Sequence, residues 1–217
     1  MQLWTIQPLS VLDQINERGV YHCDPKKSEY LTSFGKNFLI AYNWLAGQMR
    51  RRIGLPPFSV KYPVWAWHTF DGKHKRPDLR QKEFWCFSEE MVCIEVEVPD
   101  HKVLLSDEET WHIILNDAYI PSSDCAENIE LEHLWLSALA PIEQKKAKLK
   151  SWERVLINSR DIPQNVGYIQ ATFWELRKEQ IISTIPIRCR KKKPVSPNPK
   201  KKRNNNTKKN EVTKSGK

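Results

Sequence analysis

The 217 residues carry a formal net charge of +9 and a pI near 9.3, but the excess sits at one end: Arg188 to Lys217 holds 13 Lys or Arg and one acid, Glu211, against 22 basic and 25 acidic side chains in the rest. A body at −3 is no basic nucleic-acid surface, so the average describes a tail. No apolar run nears the ~20 residues that span a bilayer, Met1-Gln2-Leu3-Trp4 opens no signal peptide, and Cys23, Cys86, Cys93, Cys125 and Cys189 contain no CxxC pair. These features predict a cytoplasmic protein with reduced thiols, no membrane attachment and no metal site.

In chain order, Leu3 to Gln7 reads as a short strand ended by Pro8. Ser10 then caps a short helix that Gly19 closes, and Val20-Tyr21-His22 is a brief second strand broken at Asp24-Pro25. The clearest helix begins between Ser28 and Lys36, since Phe38, Tyr42, Leu45 and Met49 recur at spacings of four, three and four. Arg50-Arg51-Arg52 suit the negative end of its dipole, and Gly54 with Pro56-Pro57 stops it. Val60 to His68 reads as a strand, with Pro63 restricting it to an edge or a strand start. Asp71-Gly72 signals a turn inside a polar stretch from Thr69 to Lys82. Val92, Ile94, Val96 and Val98 then alternate with Cys93, Glu95 and Glu97, which predicts a half-buried strand with an acidic outer face.

Ser106-Asp107-Glu108-Glu109 matches a capping box ahead of a helix bearing Trp111, Ile114 and Leu115. A second start signal at Ser122-Ser123-Asp124 precedes a helix carrying Ile129, Leu134, Trp135 and Leu139, and Pro141 separates it from another with Leu149, Trp152 and Leu156. Lys145, Lys146, Lys148 and Lys150 of that helix read as a solvated face. Val166 to Glu175 alternates again, and Ile181 to Ile187 is a final strand. Strands and helices that alternate without a βαβ rhythm predict a single α+β domain over residues 1–187, with short strands and several helices. Residues 188–217 have almost nothing to bury and are expected to be disordered, with Lys191, Lys192, Lys193, Lys200, Lys201, Lys202 and Arg203 available to polyanions.

Catalytic templates are missing: there is no P-loop, GxGxxG, HExxH or GxSxG, and seven glycines leave few phosphate cradles. Six scattered histidines and nine dispersed tryptophans read mostly as structural residues and core fillers. Cys23 between His22 and Asp24 has the residue types of a nucleophile site, but adjacent side chains project apart. The closing segment is more informative. There Gln170, Thr172 and Trp174 share one strand face, which combines amide, hydroxyl and indole into a recognition surface or a solvated one, with Glu175 just beyond.

Several distinctive words, most of them containing Trp, occur in order, among them Leu3-Trp4-Thr5-Ile6-Gln7, Tyr62-Pro63-Val64-Trp65-Ala66-Trp67, Arg76-Pro77-Asp78-Leu79-Arg80, Trp111-His112 and Gln170-Ala171-Thr172-Phe173-Trp174. Their succession resembles a bacterial domain of unknown function, the family numbered three-eight-four-one, over nearly the whole body and none of the tail. A looser likeness is one of layout: an N-terminal strand, a helix ending at Gly19, a short strand, a long helix and a polar closing strand are similar to the order in small ADP-ribosyltransferase-like domains. That likeness implies an NAD-binding cleft with Thr5 or Gln7, Tyr21 or His22, and Gln170 or Glu175 at its polar positions. The expected function is therefore small-ligand or nucleotide binding, with Gln170 and Glu175 as candidate catalytic residues and Thr5, Gln7, Tyr21, His22, Thr172 and Trp174 as candidate ligand contacts. The rival expectation is a non-enzymatic accessory protein that holds nucleic acid by its tail and a protein partner by its body.

Overall fold

Two-residue alternation builds the frame. In the computed structural model, which describes residues 1–28, 35–84 and 89–187, the strands are β1 (Gln2–Pro8), β2 (Val20–Tyr21), β3 (Val64–Thr69), β4 (Met91–Glu97), β5 (Leu104–Asp107), β6 (Leu156–Ile157), β7 (Ile169–Phe173), β8 (Leu176–Arg177) and β9 (Ile181–Ile187). The helices among the described residues are α1 (Leu9–Arg18), α2 (Lys36–Arg52), α3 (Glu108–Leu115), α4 (Ala126–Ala138) and α5 (Pro141–Ser151). Seven strands form one sheet in the order β6-β5-β7-β3-β1-β4-β9, every pair antiparallel, and β2 pairs with β8 in a separate two-stranded sheet. The α+β expectation holds. The tail residues Lys191, Lys192, Lys193, Lys200, Lys201, Lys202 and Arg203 lie outside the described residues.

One face of the large sheet gathers Leu3, Val64, Ala66, Val92, Ile94, Val96, Leu105, Ile169, Ala171 and Phe173 under Val11 and Ile15 of α1. Because residues paired across a ladder point the same way, their neighbours in sequence face the other side. There α2 lays down Ala41, Tyr42, Leu45, Ala46 and Met49 against Trp111 and Ile114 of α3, with Trp152, Val155 and Trp174 closing the layer. Tyr42, Trp65 and Trp111 meet there with ring centroids 5.2–5.8 Å apart. A third cluster on the same side covers the β1–β4–β9 end, where Phe70 and Phe84 lie over Trp4, Cys93 and Ile187.

Several local expectations are corrected. β3 starts at Val64 and not at Val60, and it is central, between β7 and β1; Pro63, which has no N–H for a ladder, marks where pairing can begin. Ser10 caps nothing: α1 starts directly after Pro8 with no side-chain cap, although Gly19 closes it as expected, at φ 77° with its N–H on Ile15 O at 2.8 Å. Ser106 belongs to β5, and Asp107 takes the cap by accepting from Thr110 N at 2.7 Å. Cys93 is buried, since Phe70 and Phe84 cover the face expected to be acidic and wet, while Glu97 is exposed. The turn at Asp71-Gly72 is as expected: both residues have positive φ, 55° and 69°, and Phe70 and Lys73 exchange N–H···O bonds across it, the geometry that suits strand twist. Finally, α4 buries none of its residues, so the stripe of Leu134 and Trp135 faces outward.

Candidate functional site

The small β2–β8 sheet joins the two ends of the body. Gly19 turns the chain out of α1 into β2, whose Tyr21 pairs with Leu176 of β8, and Lys178 N bonds back to Gly19 O at 2.8 Å. This ladder places His22 beside Glu175, 153 residues away in sequence, with His22 Nε2 3.3 Å from Glu175 Oε2. Arg177 Nε donates to the other carboxylate oxygen at 2.7 Å, and its guanidinium also reaches Glu179 at 3.8 Å. Glu175 is mostly shielded, its side chain 18 % exposed. Burial alone would raise its pKa, but hydrogen bonds from Arg177 and His22, together with the Arg177 charge, outweigh that and hold it below the ordinary carboxylate value. The carboxylate is thus ionised at neutral pH. It serves as a hydrogen-bond acceptor with a free lone pair on each oxygen, and not as a general acid.

A cleft of about 270 Å³ opens over this group. Its walls include Pro56 and Pro57 after α2, Lys102, Trp174 and Glu175 from the β7–β8 turn, and Arg177 of β8. Trp174 is fixed by its indole N–H, which donates to Gly54 O at 2.9 Å. Gly54 takes φ 95°, the left-handed conformation that lets the chain leave α2 sharply enough to form this wall. Arg177 and Lys102 give the cleft two cations, and the prolines and indole give it flat apolar surface.

Of the residues singled out from sequence, Tyr21, His22, Trp174 and Glu175 come together here. Tyr21 lies in the ladder behind the pair, and burial, aided by Cys23 and Asp24, pushes its phenol up to about 12. Burial, aided by Asp24, pushes Cys23 up to about 11, so it is a protonated thiol and lacks the lowered pKa of a nucleophile. The remaining residues lie elsewhere. Thr5 is fully buried and donates to Trp65 O at 2.7 Å, and Gln7 donates to Thr5 Oγ1. Both lie on the face of Ile94 and Val92, whereas Gln170 pairs with Trp67, which pairs with Trp4, on the opposite face. Thr172 is fully buried and donates to Leu104 O. Gln170 is five residues from Glu175 along an extended segment, roughly 15 Å at the usual strand rise, and it does not line the cleft. The tryptophans do not converge on one pocket: Trp4, Trp111, Trp152 and Trp174 are buried in two different clusters, and Trp135 is half exposed.

A second cavity, of about 530 Å³, lies among Asp107, Glu109, Thr110, Arg154, Asn158 and Asp161. Three of its polar side chains are committed, Asp107 to the α3 cap, Arg154 to Ile120 O and Asn158 to Arg160 N.

A family model described as a domain of unknown function, DUF3841, matches residues 2–182. The chain belongs to this family. No curated protein and no solved structure matches it. The DUF3841 words can now be placed on the fold. Tyr62 to Trp67 leads into and forms most of β3, and Gln170 to Trp174 covers β7 and its exit. Trp65 and Trp111 stack in the core, and Asp78 holds Arg80 through two parallel bonds of 2.8 Å in a loop. Most of these words therefore describe how the DUF3841 sheet is packed. Of these words, the cleft borrows only from the last, through Trp174, while Ile53 in its wall and Gly54, which accepts from the Trp174 indole, follow the end of α2.

Sequence reasoning missed Arg177, Lys102, Pro56 and Pro57. Arg177 had a signal, since residues two apart on a strand share a face with Glu175. Lys102 had none, because only the tertiary fold brings it to the β7–β8 turn.

Proposed function

We propose that the body binds a small anionic ligand with a planar ring, of the nucleotide class, in the cleft beside the β2–β8 sheet. The observation that carries this reading is the Glu175 carboxylate, held ionised by His22 and Arg177 at the edge of a cleft that also offers Lys102, Trp174 and two prolines. Arg177 and Lys102 would hold phosphate oxygens, Trp174 and the prolines would flank the ring, and Glu175 would accept from a sugar hydroxyl. At about 270 Å³ the cleft lies just below the usual range of ligand pockets, which runs from about 300 Å³ upward. A mononucleotide suits it better than a whole dinucleotide, so NAD would enter by one half only, and an ADP-ribosyltransferase-like activity requires that half to be the one carrying the reactive bond.

Calorimetric titration of the full chain with AMP, ADP-ribose and NAD tests the reading. Binding of at least one of them is expected, weakened tenfold or more by Glu175→Gln with little change in melting temperature, because the partners His22 and Arg177 are 36 % and 48 % exposed and water can take the place of the charge. Absence of binding by all three, or indifference to Glu175→Gln, would sink it. The rival reading, nucleic acid on the tail and a protein partner on the body, draws its support from the thirteen cations of residues 188–217. It requires binding to an unstructured oligonucleotide that disappears with those residues and falls with salt at a log–log slope of about −0.7 per phosphate contact.

A further inference from the structure

Helices α4 and α5 form a hairpin joined by Leu139 and Ala140, and α4 has no buried residue. Its Leu131, Leu134 and Trp135, at the i, i+3, i+4 spacing of one helical stripe, are 64 %, 61 % and 51 % exposed, and Ile142 at the start of α5 is 66 % exposed. The inward side is accounted for: Glu132 accepts from Tyr119 at 2.9 Å and from Ser122 N, tying α4 to the body. The outer stripe belongs to none of the body's apolar clusters and stays more than half exposed, and an apolar row of this kind bordered by charge marks an interaction surface.

The charges beside the stripe indicate what covers it. The first half of α4 is acidic, with Glu127 and Glu130 exposed, and the exposed cations of α5 are Lys145, Lys146 and Lys150. Among the described residues none of these five has an ion-pair partner, whereas the one other lysine of that helix, Lys148, is committed to Asp117 at 2.7 Å. One hairpin therefore carries an unpaired acidic arm, an apolar stripe and, beyond Glu143, whose carboxylate accepts from Ala140 N at the start of α5, an unpaired basic arm. Under a two-fold axis that packs α4 antiparallel against its copy, the start of one α4 lies beside the end of the other, where the second protomer's α5 begins. Glu127 and Glu130 of each chain then approach Lys145 and Lys146 of its mate, twice over, with the leucines and tryptophans between them. Such self-complementarity is what an isologous contact requires. The chain's own tail is a poor occupant, because residues 188–217 offer only Cys189, Val195 and Val212 as apolar side chains to cover four large ones.

We infer that this face is a homodimer interface, a second copy of the chain docking α4 against α4 with crossed acidic and basic arms. The experiment is sedimentation of the full-length chain over a concentration range at low and moderate salt. Wild type is expected to be a dimer, and Trp135→Glu a monomer at the same concentration. Glu127→Lys with Glu130→Lys, and separately Lys145→Glu with Lys146→Glu, should each weaken the dimer at least tenfold by setting like charges opposite one another. All four changes in one chain should restore it, since the pairs are then reversed and not removed. The altered side chains are exposed, so unchanged circular dichroism is expected; should Trp135→Glu fail to fold, Leu131→Gln replaces it. A monomeric wild type, a dimer indifferent to Trp135→Glu and Leu131→Gln, or failure of the four-fold variant to recover would each overturn the inference. Loss of the wild-type dimer on removal of residues 188–217 alone would assign the contact to the tail instead.

Discussion

Gln170 offers the sharpest test of the packing. Its Oε1 is buried without a hydrogen-bond partner, and Ser106 Oγ, on the residue directly opposite in the β5–β7 ladder, is likewise unpartnered. An acceptor taken from water and left unpaired costs about 1–3 kcal/mol. Methionine has a similar reach and no such demand, so Gln170→Met should raise stability by about 1–2 kcal/mol, the lower figure applying because part of the side chain is still wet. For a body of this size each kcal/mol moves the midpoint by about 2–4 °C, so the melting temperature should rise by a few degrees in calorimetry. Ser106→Ala should be neutral or mildly stabilising for the same reason. Nucleotide binding should be unaffected by Gln170→Met, because Gln170 lies outside the cleft. A drop of several degrees would refute the reasoning, by showing that the amide makes a bond in solution that Met cannot. Retained stability with lost binding would instead return Gln170 to the site.

Two further outcomes follow from the buried groups. His68 is 7 % exposed beside His74, and burial first, with His74 and the N-terminal amine, lowers its pKa from 6.5 to about 4 against a smaller opposite pull from Asp100. A base with a folded pKa below its unfolded one stabilises the fold when neutral, so its contribution is full above pH 6.5 and is lost as pH falls towards 4, up to about 3 kcal/mol in all; melting curves between pH 7 and 4 should flatten in His68→Gln, and an unchanged slope counts against it. Trp152 is fully buried, edge-on to Trp44 with centroids 5.6 Å apart, and donates to Ala118 O at 2.7 Å; Trp152→Ala should cost about 3–5 kcal/mol in urea unfolding, and a loss under 1 kcal/mol would mean the α3–α5 layer is looser than its contacts.

How far the sequence can be read depends on the range of the forces involved. The alternation of Val92, Ile94 and Val96, the α2 stripe through Tyr42, Leu45 and Met49, the left-handed stop at Gly19 and the turn at Asp71-Gly72 are all decided within a few residues, and each appears where expected. Cys93 was misjudged because periodicity reports that a strand has two faces but not that a distant loop folds over the second one, as Phe70 and Phe84 do. The same blindness, with the opposite sign, applies to α4. Leu131, Leu134 and Trp135 announce an amphipathic helix whichever body covers the stripe, and here the described residues leave it more than half exposed.

The candidate site lies at the far end of that scale. His22 and Glu175 could be nominated separately, one from a short strand after Gly19 and the other from the end of an alternating run, but their meeting rests on a ladder only two residues long, Val20–Arg177 and Tyr21–Leu176. A ladder that short cannot persist alone. It is held because Leu176 is fully buried in the same cluster as Ile15, so the hydrophobic packing of α1 clamps both strands and sets the distance between His22 and Glu175. The polar pair is therefore a consequence of the core beneath it. Ile15→Ala should weaken the proposed nucleotide binding in the same calorimetric titration although Ile15 does not line the cleft, whereas Gln7→Ala, on β1 itself and also outside the cleft, should leave it unchanged.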